Sequence, residues 1–214
     1  MKIAVIQAST QADKNKVLTE IVKKVASPLG HEIVNFGVFE DEANYSYTEI
    51  ALLISILLSS KSVDFIITGC SSGQGMALAC NTLPGVLCGF VQNPQDAFLF
   101  GRINDGNAIS FPLGLGYGWL GELNLEYSLE KLFAGEFGIG YPAQDADRKV
   151  RETDQVKAFN KLVKRNISWL LKQLERPIVE KLIAKTDVLD YIMKYGQDEQ
   201  LEEVLINLRE KETA

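Results

Sequence analysis

Hydrophobic positions in the first two-thirds of the chain follow two alternating rhythms. Dense apolar runs at residues 3–7, 32–36, 64–68, 86–91 and 108–111 read as β-strands. Between them the apolar residues recur every three or four positions, which predicts helices. Residues 13–26 place Val17, Ile21, Val22 and Val25 on one face, and Pro28 and Gly30 end that helix. Residues 47–60 are apolar almost all round, so this helix is expected to be buried on two sides. Further helices are expected between Gly75 and Val86 and over residues 94–102 and 118–133. A repeating strand–helix alternation with apolar strands predicts an α/β fold: a doubly wound, five-stranded parallel sheet covered on both faces. Ligands of such sheets bind beyond the carboxyl ends of the strands. That rule singles out Ala8-Ser9-Thr10, the loop that starts at Gly69-Cys70, and the Asn93-Pro94 corner.

The rhythm changes after Gly135. A connector containing Gly and Pro leads into one long amphipathic helix over residues 149–173, with Val156, Phe159, Val163, Ile167 and Leu170 along a stripe. Pro177 starts a new segment, and residues 200–211 form a charged terminal helix. The chain therefore divides into an α/β domain, residues 1–148, and a helical extension, residues 149–214, expected to pack on that domain or on a second copy. An apolar stripe that the sheet does not fully cover is a common mark of a subunit contact.

Composition narrows the partners. A net charge of −6 argues against nucleic acid and anionic membrane surfaces. The first residues are too short an apolar run for a secretory signal. The longest apolar stretch, residues 50–58, is too short to span a bilayer. Three cysteines without a C-x-x-C pair fit a reducing cytoplasm and no disulfide framework. With a single histidine, His31, and no ligand spacing, neither a metal nor another cofactor is expected. The first strand lacks a following G-x-G-x-x-G and the chain lacks G-K-[ST], so no nucleotide site is expected either.

The candidate chemistry lies in Gly69-Cys70-Ser71-Ser72-Gly73-Gln74-Gly75, between an apolar strand and a helix. Backbone N–H groups at such a junction receive anions, and the same field favours the thiolate form of a cysteine. An anion hole beside a basic sulfur suits proton abstraction next to a carbonyl. Cys80 and Cys88, in apolar surroundings, read as core.

These residues resemble the family of type B ribose-5-phosphate isomerases and galactose-6-phosphate isomerase subunits, whose pattern is C-G-T-G-x-G-x-x-x-x-A-N-K-x-x-G-[IV]. Here it reads Cys70-Ser71-Ser72-Gly73-Gln74-Gly75, then Ala79-Cys80-Asn81-Thr82-Leu83-Pro84-Gly85-Val86; the family's H-N-D-x-N reads Ile103-Asn104-Asp105-Gly106-Asn107. The resemblance spans residues 1–160. It implies metal-free aldose–ketose isomerisation through an enediolate, in a homodimer or homotetramer whose site uses both subunits. It makes Cys70 the base, Gly73 and Gly75 part of the anion hole, Ser72 the counterpart of a threonine that assists ring opening, and Asn104 a ligand of the sugar oxygens. Asn81 corresponds to a loop-stabilising asparagine. Ser9, Tyr45, Ser71, Gln74, Asp105, Asn107, Arg148 and Arg151 complete the expected substrate-binding set.

Three departures matter. The family's Asp-His after the first strand is Ala8-Ser9, the ring-opening histidine is Ile103, and a phosphate-binding arginine aligns with Gly114. The expected activity is therefore a cofactor-independent sugar or sugar-phosphate isomerase for which ribose 5-phosphate is a poor substrate. A tetrose phosphate, an unphosphorylated keto sugar or uronate, and a sugar-binding descendant without catalysis are the alternatives. Ser9, Asp105 and water remain open as the group that relays the proton between substrate oxygens.

Overall fold

The computed structural model describes the backbone of residues 1–213 and the side chains of residues 1–210. Strands β1 (Lys2–Val5), β2 (Glu32–Asn35), β3 (Phe65–Cys70), β4 (Cys88–Phe90) and β5 (Ala108–Pro112) form one parallel sheet in the order β2-β1-β3-β5-β4. The sequence-derived fold class is the observed one. Helices α1 (Asn15–Ala26), α4 (Pro94–Leu99) and α5 (Gly121–Leu132) cover one face, where Leu18, Ile21, Val22, Ala97, Leu125 and Leu129 pack on Ile3, Val5, Phe65, Ile67 and Ile109. Helices α2 (Tyr47–Ser59) and α3 (Gln74–Thr82) cover the other.

Helix α2 is buried on two sides, as its all-round apolarity requires. Eight consecutive residues, 50–57, are buried. One flank meets the sheet. The other meets the C-terminal helices α7 (Ile167–Leu171), α8 (Arg176–Ala184), α9 (Thr186–Tyr195) and α10 (Glu199–Thr213), through Ile167, Leu171, Leu182, Val188, Leu189, Ile192, Leu201 and Leu205. Ser46 starts α2 with a capping box, its hydroxyl accepting from the Glu49 N–H while Glu49 bonds back to the Ser46 N–H.

Several boundaries differ from the hydropathy reading. The expected helix 149–173 is two helices, α6 (Ala146–Val163) and α7, because the Asn166 side chain caps α7 by accepting from the Trp169 N–H. Residues 176–195, left unassigned by the sequence, hold α8 and α9. The helix expected over 94–102 becomes a π-turn at Phe100–Asn104. Gln7, expected within the first strand, lies just beyond it, fully buried. There its amide donates to Val38 O at 2.8 Å and accepts from Asn15 at 2.8 Å. Asn15 and Asn35 bond to each other reciprocally, so this polar network ties the carboxyl ends of β1 and β2 to α1.

Candidate active site

The sheet order reverses between β1 and β3, which opens a crevice at their carboxyl ends. Cys70 is the last residue of β3, only 8% exposed. It is held through its backbone: its carbonyl accepts from the Leu113 N–H at 3.0 Å, and the Ser71 carbonyl accepts from the Gly114 N–H at 3.0 Å. Ser71, Ser72 and Gln74 are exposed around it. Gly73 starts α3 with φ +73°, a conformation costly for other residues, and a Cβ there would lie 2.7 Å from both the Phe111 backbone and the Phe90 ring. The buried Ser110 hydroxyl fixes the turn by donating to Gly73 O at 2.7 Å. No side chain caps α3, so its first N–H groups are left for a ligand. The Tyr47 ring, 44% exposed, lies beside Gly75 and forms a wall above the loop.

The second wall comes from the segment after β1. Ala8 N–H bonds to Gly69 O, and Ser9 is zipped to Tyr45 by two bonds, Ser9 N–H to Tyr45 O at 3.0 Å and Tyr45 N–H to the Ser9 hydroxyl at 2.6 Å. Gln11, 7% exposed, reaches across to the Cys70 loop and donates to the Ser71 hydroxyl at 2.9 Å. Sequence reasoning passed over Gln11, since nothing in its neighbours marks a glutamine as a bridge between two loops. Gly114 closes the far side. A Cβ there would lie 2.9 Å from Ser71 O and 3.0 Å from Ser71 Cα, so the position has no room for a side chain.

The crevice thus gathers Cys70, Ser71, Ser72, Gly73, Gln74, Gly75 and Ser9. Other expected residues lie elsewhere in the chain. Asn81, at the C-terminal end of α3, pairs its amide with both the N–H and the C=O of Cys88, at 2.9 and 2.7 Å, and so closes the exposed edge of β4. Asn104, Asp105 and Asn107 sit at the opening end of β5, at the opposite end of the parallel strands from Cys70. Asp105 pairs with Lys157 of α6, and Asn107 clamps the α3–β4 turn through Leu87 N–H and Gly85 O. Tyr45 is buried, and its hydroxyl donates to Lys181 O at 3.2 Å in α8. Burial, helped by Glu42, Asp187 and Glu49, raises its phenol pKa and keeps that donor protonated. Arg148 is exposed and paired within its own helix to Glu152, and Arg151 is exposed two residues before Thr153, which bonds to Ile103 O. Among the described residues no three His, Cys, Asp or Glu side chains converge to hold a metal ion, and no helix is long and apolar enough to cross a membrane.

A sulfur beside uncapped amides and hydroxyls can take a proton from carbon and hold the resulting oxyanion. Comparison with known proteins identifies the family. The profile of the Ribose/Galactose Isomerase family matches residues 3–138. A 4-deoxy-L-threo-5-hexosulose-uronate ketol-isomerase, solved with a tartrate, is 37% identical, with a TM-score of 0.93 covering 98% of this chain and 100% of its own. A ribose-5-phosphate isomerase from Vibrio parahaemolyticus is 36% identical, with a TM-score of 0.92 covering 97% of this chain and 99% of its own. The type B ribose 5-phosphate isomerase of Trypanosoma brucei, 20% identical, shares the fold at a TM-score of 0.62 and covers 73% of this chain and 97% of its own. No curated protein matches at a significant level.

Proposed function

Because the chain belongs to the ribose/galactose isomerase family and is an aldose–ketose isomerase, we propose that it acts on an open-chain keto-uronate, with Cys70 as the base. The thiolate removes the proton from the carbon next to the carbonyl. The amides of Gly73, Gln74 and Gly75 hold the enediolate oxygen, Ser72 orients a hydroxyl, and the thiol returns the proton to the neighbouring carbon. One observation carries the substrate reading: Gly114 packs so tightly on Ser71 that no side chain can stand there to receive a phosphate. Ile103, in place of a ring-opening histidine, likewise favours a sugar that is already open. The 37%-identical relative, a uronate ketol-isomerase by name whose structure covers 98% of this chain, supports the same reading.

The substrate reading is tested with a panel of sugars. Turnover of an open-chain keto-uronate is expected at least tenfold more efficient than that of ribose 5-phosphate, for which kcat/KM should fall below about 10⁴ M⁻¹s⁻¹. The Vibrio parahaemolyticus relative, a ribose-5-phosphate isomerase by name, favours the opposite ranking. That outcome would withdraw the argument from Gly114 and Ile103.

The site is completed by a second copy. Cys70 pairs with Pro112, four residues along β5 from Ala108, which is about 13 Å of parallel strand, and Asn104 lies beyond Ala108. Asn104 therefore meets the sugar at Cys70 only from a partner subunit. Helix α6, next to Asn104, leaves Val156, Phe159, Leu162 and Val163 between 54% and 80% exposed, a face suited to that contact. Light scattering at micromolar concentration should find a dimer or larger, and Phe159→Asp should lower both mass and activity. A fully active monomer removes Asn104 from the site. Free cysteines at positions 70, 80 and 88 fit a cytoplasmic enzyme.

A further inference from the structure

The isomerase reading needs a group that carries a proton between the two oxygens of the enediolate, and we infer that Ser71 is that group, held in its working orientation by Gln11. The three groups left open by the sequence stand differently in the fold. Asp105 lies at the opposite end of the strands, paired with Lys157. The Ser9 hydroxyl also accepts a bond, from the Tyr45 N–H at 2.6 Å, but Ser9 is half-buried and lies on the facing segment, away from the Cys70 loop. Ser71 adjoins Cys70, is exposed to the crevice, and carries a hydroxyl.

The orientation of that hydroxyl follows from chemistry. The Gln11 side-chain atom 2.6 Å from Thr10 O faces a carbonyl, which only accepts. It must therefore be the amide nitrogen. The same nitrogen lies 2.9 Å from the Ser71 hydroxyl oxygen and spends its second hydrogen there. Ser71 is thus an acceptor from the buried side, and its own proton turns outward. Its neighbour in the protein is the Thr10 hydroxyl, at a long 3.5 Å, so a substrate oxygen in the crevice competes readily for it. Gln11 can make this bridge because its backbone, at φ −128° and ψ 26°, interrupts the 3₁₀ turn of Ser9–Lys14 and its side chain is turned inward.

The relay balances without a co-reactant. Once the Cys70 thiolate has taken the carbon-bound proton, one enediolate oxygen is negative and the other carries hydrogen. Ser71 gives its proton to the first and takes one from the second. The new carbonyl forms as the thiol returns its proton to the adjacent carbon. Ser71 and Gln11 end unchanged. Gln11 is a positioning residue throughout, since it touches Ser71 and not the sugar.

The inference rests on the isomerase reading, and its test separates the two steps. The whole enzyme is incubated in heavy water with the sugar that the wild type converts best, and NMR follows deuterium entry at the alpha carbon and product formation. Ser71→Ala should keep exchange within about tenfold of wild type while conversion falls about 10²-fold or more, the range for a positioned proton-transfer group. Gln11→Glu should do the same, because a carboxylate accepts the Ser71 proton and draws it away from the crevice. Ser71→Thr keeps a hydroxyl and should restore most conversion. Exchange and conversion falling together, or neither falling, overturns the relay while the isomerase reading stands. A wild type that neither exchanges nor converts any sugar overturns both.

Discussion

Replacing Cys70 with alanine is expected to cost turnover about 10²–10⁴-fold, the contribution of a positioned base, with the fold intact. The neighbours of Cys70 explain the second half of that expectation. Its ladder position is fixed by backbone pairing with β5 and by the Leu113 N–H bond to its carbonyl, all of which alanine keeps. The uncapped N-terminus of α3 and the Ser71 and Ser72 hydroxyls also remain, so ligand affinity should change little. Cys70→Ser should be nearly as damaging, since a hydroxyl is a far weaker base than a thiolate at neutral pH. The deciding measurement is deuterium entry at the carbon alpha to the carbonyl. Wild-type exchange in Cys70→Ala would assign the abstraction to another residue. Ser71→Ala is expected to behave in the opposite way, with exchange kept and conversion lost, so the two variants together dissect the reaction.

The second large effect concerns stability. Lys185, at the junction of α8 and α9, is 1% exposed and pairs with Glu42 and, at 3.1 Å, with Asp187. Its ammonium also lies 5.5 Å from the Phe39 ring and 6.0 Å from the Tyr45 ring. Glu42 in turn accepts from the Phe39 N–H at 2.7 Å. This cluster clasps the extension to the loop between β2 and α2, whose Tyr45 backbone is zipped to Ser9 at the crevice. Lys185→Met should lower stability by about 3 kcal/mol, the low end for breaking a buried pair, because the two carboxylates keep partial access to water. For a chain of this size that is a fall of about 6–12 °C in the unfolding midpoint. Combining it with Glu42→Gln should recover part of the loss by removing one of the stranded charges. A midpoint unchanged to within about 1 °C in calorimetry would show the clasp to be dispensable.

The clasp also marks where sequence reading stopped. Nothing local in Ala184-Lys185-Thr186 distinguishes Lys185 from the many solvated lysines of the C-terminal helices. Its burial depends on a loop about 140 residues earlier in the chain. Tyr45 and Tyr47 illustrate the same limit at two residues' separation. Both follow an acidic stretch, yet one is buried beneath α8 and the other forms the wall beside Gly75.

What the sequence determined by itself was whatever local rules express. The alternation of apolar runs and helical stripes specifies the parallel sheet, because strands buried on both faces must be apolar throughout and helices on one stripe only. The all-round apolarity of residues 47–60 specifies a helix buried on two sides. The small residues after Cys70 specify a tight strand–helix turn whose first helical amides no side chain caps. The tertiary structure decided the rest. It set Asn81, Asn104, Asp105 and Asn107 at the opposite end of the strands from Cys70, although the family pattern lists them together. It set Gln11 against Ser71 and packed Gly114 against the Ser71 backbone. The physical reason is that strand order fixes which loops share a crevice. That order, β2-β1-β3-β5-β4, arises from long-range pairings that no window of local sequence contains.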